Sequence, residues 1–228
     1  MKKLFLIMMI LGLSVSLFPQ TKVGTTVANF LTIPVGPRAS GMGGAFSAVA
    51  NDATTAFWNP AGLSRISRNE FTASTAEWLV SSRINWVGLG FRLDDDNAIG
   101  ISINQLDYGE EEITTLQQQN GTGEFWSASD IAISLSYARN LTDRFSVGGS
   151  VKYISQKIYD VSATGFGVDV CLLFYTQLEG LRLGMNISNF GTEMQLDGKS
   201  LLQPIDIDPA NAGNNSNISG QLLTEAWS

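Results

Sequence analysis

Three groups of residues in this 228-residue chain have the types and spacing that chemistry would need. Gly41, Gly43 and Gly44 form a G-x-G-G run, and closely spaced glycines can cradle a phosphate on backbone N–H groups. The run does not have the G-x-G-x-x-G spacing, follows no strand pattern and precedes no Lys-Ser/Thr pair, so close backbone packing or a sharp bend is the better reading. Asp94-Asp95-Asp96 and Glu110-Glu111-Glu112 supply hard oxygen ligands for calcium or a carboxylate pair for acid/base work. Neither triplet has the spaced oxygens of a defined cation loop, and solvated turns and loops are expected of both. Lys152, Asp169, Arg182 and Asn186 are a scattered third group. With no histidine anywhere and Cys171 as the lone cysteine, the chain lacks the usual catalytic base, the commonest zinc ligand and any disulfide partner. No catalytic constellation, metal or cofactor is expected.

The elements that position these residues are read from a period of two. In Ile131-Ala-Ile133-Ser-Leu135-Ser-Tyr137-Ala, large apolar residues alternate with small or polar ones. Leu181 to Ser188 repeats the pattern with Arg182 and Asn186 on the other face, and Phe166, Val168, Val170 and Leu172 oppose Gly167, Asp169 and Cys171. Weaker versions at Asn69 to Trp78, Ile84 to Leu93, Asn97 to Tyr108 and Arg144 to Ser155 make about seven strands. A soluble β-sandwich also alternates in this way. Strands of roughly 9 to 11 residues, the length that crosses a bilayer at a tilt, favour a membrane barrel. In a barrel, Lys152, Asp169, Arg182 and Asn186 face the lumen.

The connections agree. Asp94 to Asp96, Leu141 to Asp143 and Gln177 to Gly180 read as short turns, Gly109 to Ala128 and Gly191 to Leu223 as long polar loops, and Leu79 to Arg83 and Lys157 to Ala163 as intermediate links. Short turns on one side and long loops on the other are the pattern of outer-membrane barrels, the short side periplasmic. Trp78, Trp86, Trp126 and Tyr153 fall near strand ends, where an aromatic girdle is expected.

Residues 1–20 read as a cleaved signal peptide, with Lys2 and Lys3 before the apolar run Leu4 to Leu13. Removing it leaves 12 basic against 21 acidic residues, a formal charge of −9, which argues against a nucleic-acid partner. No later apolar run is long enough for a membrane helix, so entry into a membrane requires a closed barrel.

Residues 21–68 precede the strands and belong to neither period. Within them the Gly- and Ala-rich stretch Gly36 to Leu63, broken by Pro37 and Pro60, reads as a plug or hatch held inside the wall. Ala45 to Ala56 is expected to form a short helix, with Asn51 and Asp52 as its turn or cap. Its motif residues are Gly36, Arg38, Gly41, Gly43, Gly44, Asn51, Asp52, Trp58, Asn59, Pro60 and Gly62.

The runs Gly36-Pro-Arg-Ala-Ser-Gly-Met-Gly-Gly-Ala-Phe, Asn51-Asp-Ala and Trp58-Asn-Pro-Ala-Gly-Leu63 resemble the PorV/PorQ family of outer-membrane proteins, itself similar to FadL-type transporters. Lys22 to Thr26, Tyr137 to Ser146 and Asn189 to Thr192 fit as well. The resemblance implies a fourteen-stranded FadL-like barrel with an inward-folded hatch, Asn59-Pro60 leading into the first strand, and contact with outer-membrane lipid. It also implies work in type IX secretion with cargo proteins or secretion machinery as partners, or, as in FadL-type relatives, passage of hydrophobic small molecules. Neither role needs catalysis. Set against that strand count, residues 69–228 supply about half a wall, with Thr224 to Ser228 resembling the start of a further strand. The expectation is an incomplete, open half-barrel lacking its C-terminal strands.

Overall fold

The computed structural model describes residues 27–204 and 219–221, so the predicted signal peptide and Thr224 to Ser228 lie outside the described residues. Seven strands follow one another: β1 (Glu70–Glu77), β2 (Arg83–Arg92), β3 (Asn97–Glu112), β4 (Phe125–Thr142), β5 (Phe145–Ile158), β6 (Val161–Tyr175) and β7 (Arg182–Gly191). Each pairs antiparallel with its sequence neighbour. A short β8 (Asp197–Gly198) pairs with the start of β6, and β9 (Leu202–Pro204) with β10 (Ser219–Gln221). Among the described residues β1 and β7 end the path without meeting, so the sheet is an all-β wall that is not closed.

Register converts the period of two into two opposite faces. Ile103, Ile133, Tyr153 and Phe166 stand side by side across β3 to β6, and all four are more than 40 % exposed. One residue along, Ser102, Ser134, Lys152 and Gly167 form the neighbouring row on the other face, where the first three are buried. The wall is therefore inverted relative to a soluble domain. Its outer face presents exposed Ile, Leu, Val and aromatic side chains, and its inner face is mostly Ala, Gly, Ser and a few charges, with Ile84, Trp86, Leu106 and Ile154 where the N-terminal segment covers it. That is the partition expected where lipid, not a core, covers the apolar side.

Residues 27–66 lie on the inner face. They contain a 3-10 turn at Asn29–Thr32, α1 (Pro37–Gly41), α2 (Thr55–Trp58) and a 3-10 segment at Pro60–Arg65. Three apolar clusters hold them, the smallest formed by Ala61 with Cys171 and Leu173 of β6. Phe30, Leu31 and Ile33 pack with Ile84, Leu106, Ala132, Ile154, Ala163 and Met194. Val35, Ala56 and Leu63 pack with Trp86, Ala98 and Ala138. Each large side chain buried in this way contributes about 1.5–3 kcal/mol.

Several expectations need correction. β3 and β4 run to 16 and 18 residues, so the two ends of the predicted loop from Gly109 to Ala128, Gly109 to Glu112 and Phe125 to Ala128, are strand. The link near Lys157 to Ala163 is a tight turn at Tyr159-Asp160, with Tyr159 at φ 55°. The predicted Ala45 to Ala56 helix is mostly turns over residues 42–49. Only its last residues, Thr55 and Ala56, are helical, at the start of α2, and the turn before them has the Asp52 carboxylate accepting from the Thr54 N–H at 2.9 Å. Asn59-Pro60 leads first into the 3-10 segment, and β1 begins only at Glu70. Trp86 is no girdle residue: it is an inner-face side chain, 1 % exposed, on the middle of β2.

Candidate functional site

Asn59 is the residue around which the inner segment is fastened. Extended backbone at Asn59 (φ −162°, ψ 89°) separates α2 from the Pro60–Arg65 segment and turns its side chain into the interface, where it is fully buried. Its Nδ2 donates to the Ser47 carbonyl at 2.7 Å and to the Leu172 carbonyl of β6 at 3.0 Å, while Oδ1 accepts from the Ala61 N–H at 3.1 Å. One amide thus joins the glycine-rich loop, the 3-10 segment and the wall. Pro60 follows at the first position of that segment, where a missing N–H costs nothing.

The far end of the segment is tied to the tight-turn rim. The Ser64 hydroxyl donates to Asn140 Oδ1 at 2.7 Å, and Arg65 donates to Ser146 Oγ at 2.8 Å, the Asp143 carbonyl at 2.8 Å and the Thr142 carbonyl at 3.2 Å. Arg65 also lies over the Tyr175 ring at 5.1 Å. Arg182, predicted to face the lumen, sits at the start of β7 and covers the same ring at 4.8 Å, well away from Lys152 and Asp169 in sequence register.

Backbone proximity explains several glycines. A Cβ on Gly62 would strike the Ala50 carbonyl and Thr55 Oγ1, and one on Gly148 of β5 would lie 2.5 Å from the Ala61 nitrogen. Gly184 of β7 likewise meets the Ser47 carbonyl. At Gly41 and Gly43, by contrast, an added Cβ would have nothing within 4 Å, so the close packing expected of that run is absent there. What the run needs is conformation: Gly43 and Gly44 stand at φ 63° and 80°. Gly36 is at φ 83° just before α1, and Trp58 abuts Gly44 while donating through Nε1 to the Val35 carbonyl at 2.9 Å. Arg38 closes the loop by donating to Asn51 at 2.9 Å and Asp52 at 3.0 Å, with its guanidinium over Phe46.

Lys152 and Asp169 do come together. They form a buried ion pair of 2.9 Å, with Asp169 also accepting from Ser150 and from the Asn189 N–H at 2.8 Å, and Lys152 donating to Asn189 Oδ1 at 2.6 Å. A β-bulge makes this possible. Between Val168 and Val170 the register with β7 slips by one residue, and Asn189 adopts φ 61°, which asparagine tolerates better than most residues. Asn186 donates to the Trp58 carbonyl at 2.8 Å and accepts from the Cys171 thiol at 3.1 Å, tying β7 to α2.

Sequence reading missed Arg65, Asn140, Asn189, Gly148 and Gly184. Glycines at inner-face positions of otherwise alternating strands were the legible signal of close approach; the bulge at Asn189 left none. The acidic triplets remain on turns and hairpin. Asp94 accepts from the Asp96 and Asn97 N–H groups, and Glu112 accepts from the Gly123 N–H at 2.8 Å. Among the described residues no three acidic or cysteine side chains gather as a metal would require.

No curated protein matches the chain. The family described as type IX secretion system protein PorV matches residues 18–211, most of the sequence. The exposed apolar outer face of the wall fits the outer-membrane association of that family. The chain belongs to the PorV family of type IX secretion system proteins.

Proposed function

We propose that this protein is an outer-membrane component that receives secreted cargo proteins, or the machinery carrying them, during type IX secretion, and that it performs no catalysis. The observation that carries the reading is the inverted wall: a row such as Ile103, Ile133, Tyr153 and Phe166 is exposed while its neighbour Ser102, Ser134 and Lys152 is buried. Outer-membrane lipid covers the first, and residues 27–66 act as a hatch against the second. Residues 1–20 direct export and are removed. Gly36, Arg38, Asn51, Asp52, Trp58 and Asn59 shape the hatch, Asn186 holds the wall to it through the Trp58 carbonyl, and Lys152 with Asp169 ties β5, β6 and β7 to one another beneath it. The stretch from Gly191 to Leu223, expected as one long loop and carrying the short β8, β9 and β10 among its described residues, is the cargo-facing surface, since a rigid scaffold places binding roles on its connections.

Deleting the gene should leave cargo in the periplasm while uptake of long-chain fatty acids is unchanged. Cargo that still reaches the surface, with fatty-acid uptake lost, would contradict the secretion role and favour a FadL-type channel for hydrophobic compounds. Replacing the Gly191 to Leu223 loop by a short turn should abolish cargo crosslinking, and unchanged crosslinking would remove that loop from the account.

A further inference from the structure

The inner segment is fastened unevenly. Toward β4 to β7 its polar ties to the wall are explicit: Ser64 with Asn140, Arg65 with Ser146, Asn59 with the Leu172 carbonyl, and Trp58 with Asn186. Toward β2 to β4 the wall instead buries polar atoms that have no partner. They are Trp86 Nε1, both polar atoms of the Asn104 amide and Ser136 Oγ, on side chains no more than 4 % exposed. An unpaired buried polar group costs about 1–3 kcal/mol, so four such atoms in one region call for a ligand.

Register places these atoms along one track. Trp86 is directly opposite Asn104; Ser102 and Ser134 are opposite each other one inner-face row further on; Ser136 is in the row after that, opposite Ser150. Ser150 in turn bonds Asp169, the partner of Lys152. The track covers about four residues of strand, roughly 13 Å. At its Trp86 end lies a cavity of about 460 Å³ whose walls include Val35, Ser40, Ser74 and Ile84.

We infer that this track is a binding site for a chain of buried water molecules, fed from the cavity beside Trp86 and running between the inner segment and β2 to β4 as far as the Lys152–Asp169 pair. Water fits the chemistry: the indole offers a donor, the amide both donors and an acceptor, and the hydroxyl either, and a buried water makes about three such bonds. The site is wide enough at the Trp86 end, and its polar side chains follow one another from β2 to β5 beside the apolar cover of Ala56 and Leu63. The inner segment is consequently held by direct polar ties toward β4 to β7, and toward β2 to β4 by an apolar cluster with water beside it.

The test compares two buried serines as single cysteines in a Cys171→Ser background. Ser136→Cys lies on the track, and Ser146→Cys lies on the fastened side, where the native hydroxyl is fully buried and bonded to Arg65 and Asn140. With folding verified by a cooperative urea transition in each variant, a small water-soluble methanethiosulfonate should label Ser136→Cys at least about tenfold faster under native conditions. Equal rates overturn the proposal. If Ser136→Cys does not fold, Asn104→Leu decides: a wet track loses a water ligand and the urea midpoint falls, whereas a dry one sheds an unpaired amide and the midpoint rises.

Discussion

Asn59 donates to the Leu172 carbonyl at 3.0 Å across 113 residues of sequence, and this bond joins the N-terminal segment to the sixth strand of the wall. The same side chain bridges Ser47 and Ala61, so its removal strands three backbone groups at once, that of Ala61 buried and those of Ser47 and Leu172 partly so. Asn59→Ala should destabilise the protein by about 2 kcal/mol or more, read as a lower urea midpoint, and should speed trypsin cleavage at Arg65. A midpoint unchanged from the wild type would show that the bond does not hold the segment.

Two glycine substitutions separate contact from conformation. Gly148→Ala places a Cβ 2.5 Å from the Ala61 nitrogen, and since the obstacle is backbone the segment must shift, at a cost of about 1–3 kcal/mol. Gly41→Ala meets nothing and is helical, so it should be neutral or stabilising by about 0.5 kcal/mol. Thermal unfolding of the two variants in the same detergent checks both, and the reverse order would refute the seating of residues 60–61 on β5.

How much of this was legible follows from the same residues. The strands were, because Ile131 to Ala138 and Phe166 to Leu172 alternate without interruption and the period of two fixes which side chains share a face. The pairing of Lys152 with Asp169 was only half legible: both fall on the inner face, but their contact depends on adjacent strand register, and Asn189 joins them through a bulge that no residue type announces. The ends of β3 and β4 were missed because Glu110 to Glu112 resemble a loop in composition, while cross-strand pairing with Phe125 to Ser127 keeps them in the sheet. Gly41 and Gly43 misled because glycine is used both for close approach and for positive φ, and sequence alone does not distinguish the two.

The buried ion pair predicts a strongly non-additive cycle. Lys152→Met or Asp169→Asn alone leaves a buried group without its partner and should cost about 3–5 kcal/mol, whereas the two combined, with the amide of Asp169→Asn still able to accept from the Asn189 N–H, should recover much of that loss. Additive urea midpoints across the three variants would mean that the pair is not coupled in the folded protein.

The β2–β3 turn carries a pH dependence of known sign. The Asp94 carboxylate accepts from the Asp96 N–H at 2.8 Å and from the Asn97 side chain and N–H, which holds its pKa below the ordinary 3.8. A carboxyl depressed on folding stabilises the turn above the unfolded value, and that stability disappears as pH falls through the folded one. The Asp96 and Asn97 amides should therefore keep their exchange protection at about pH 4 and lose it at more acidic pH. An NMR titration of Asp94 with a midpoint at or above 3.8 would contradict this arrangement.

The central claim is that the exposed apolar face of the wall lies in lipid and the opposite face carries residues 27–66. Spin labels at Leu135→Cys and Val151→Cys, side by side on the outer face, test it in a Cys171→Ser protein reconstituted in vesicles. The account predicts strong relaxation by oxygen and almost none by a water-soluble nickel chelate at both positions. Relaxation by the nickel chelate comparable to that of a label in the exposed Asp94 to Asp96 turn would place this face in water and contradict the account.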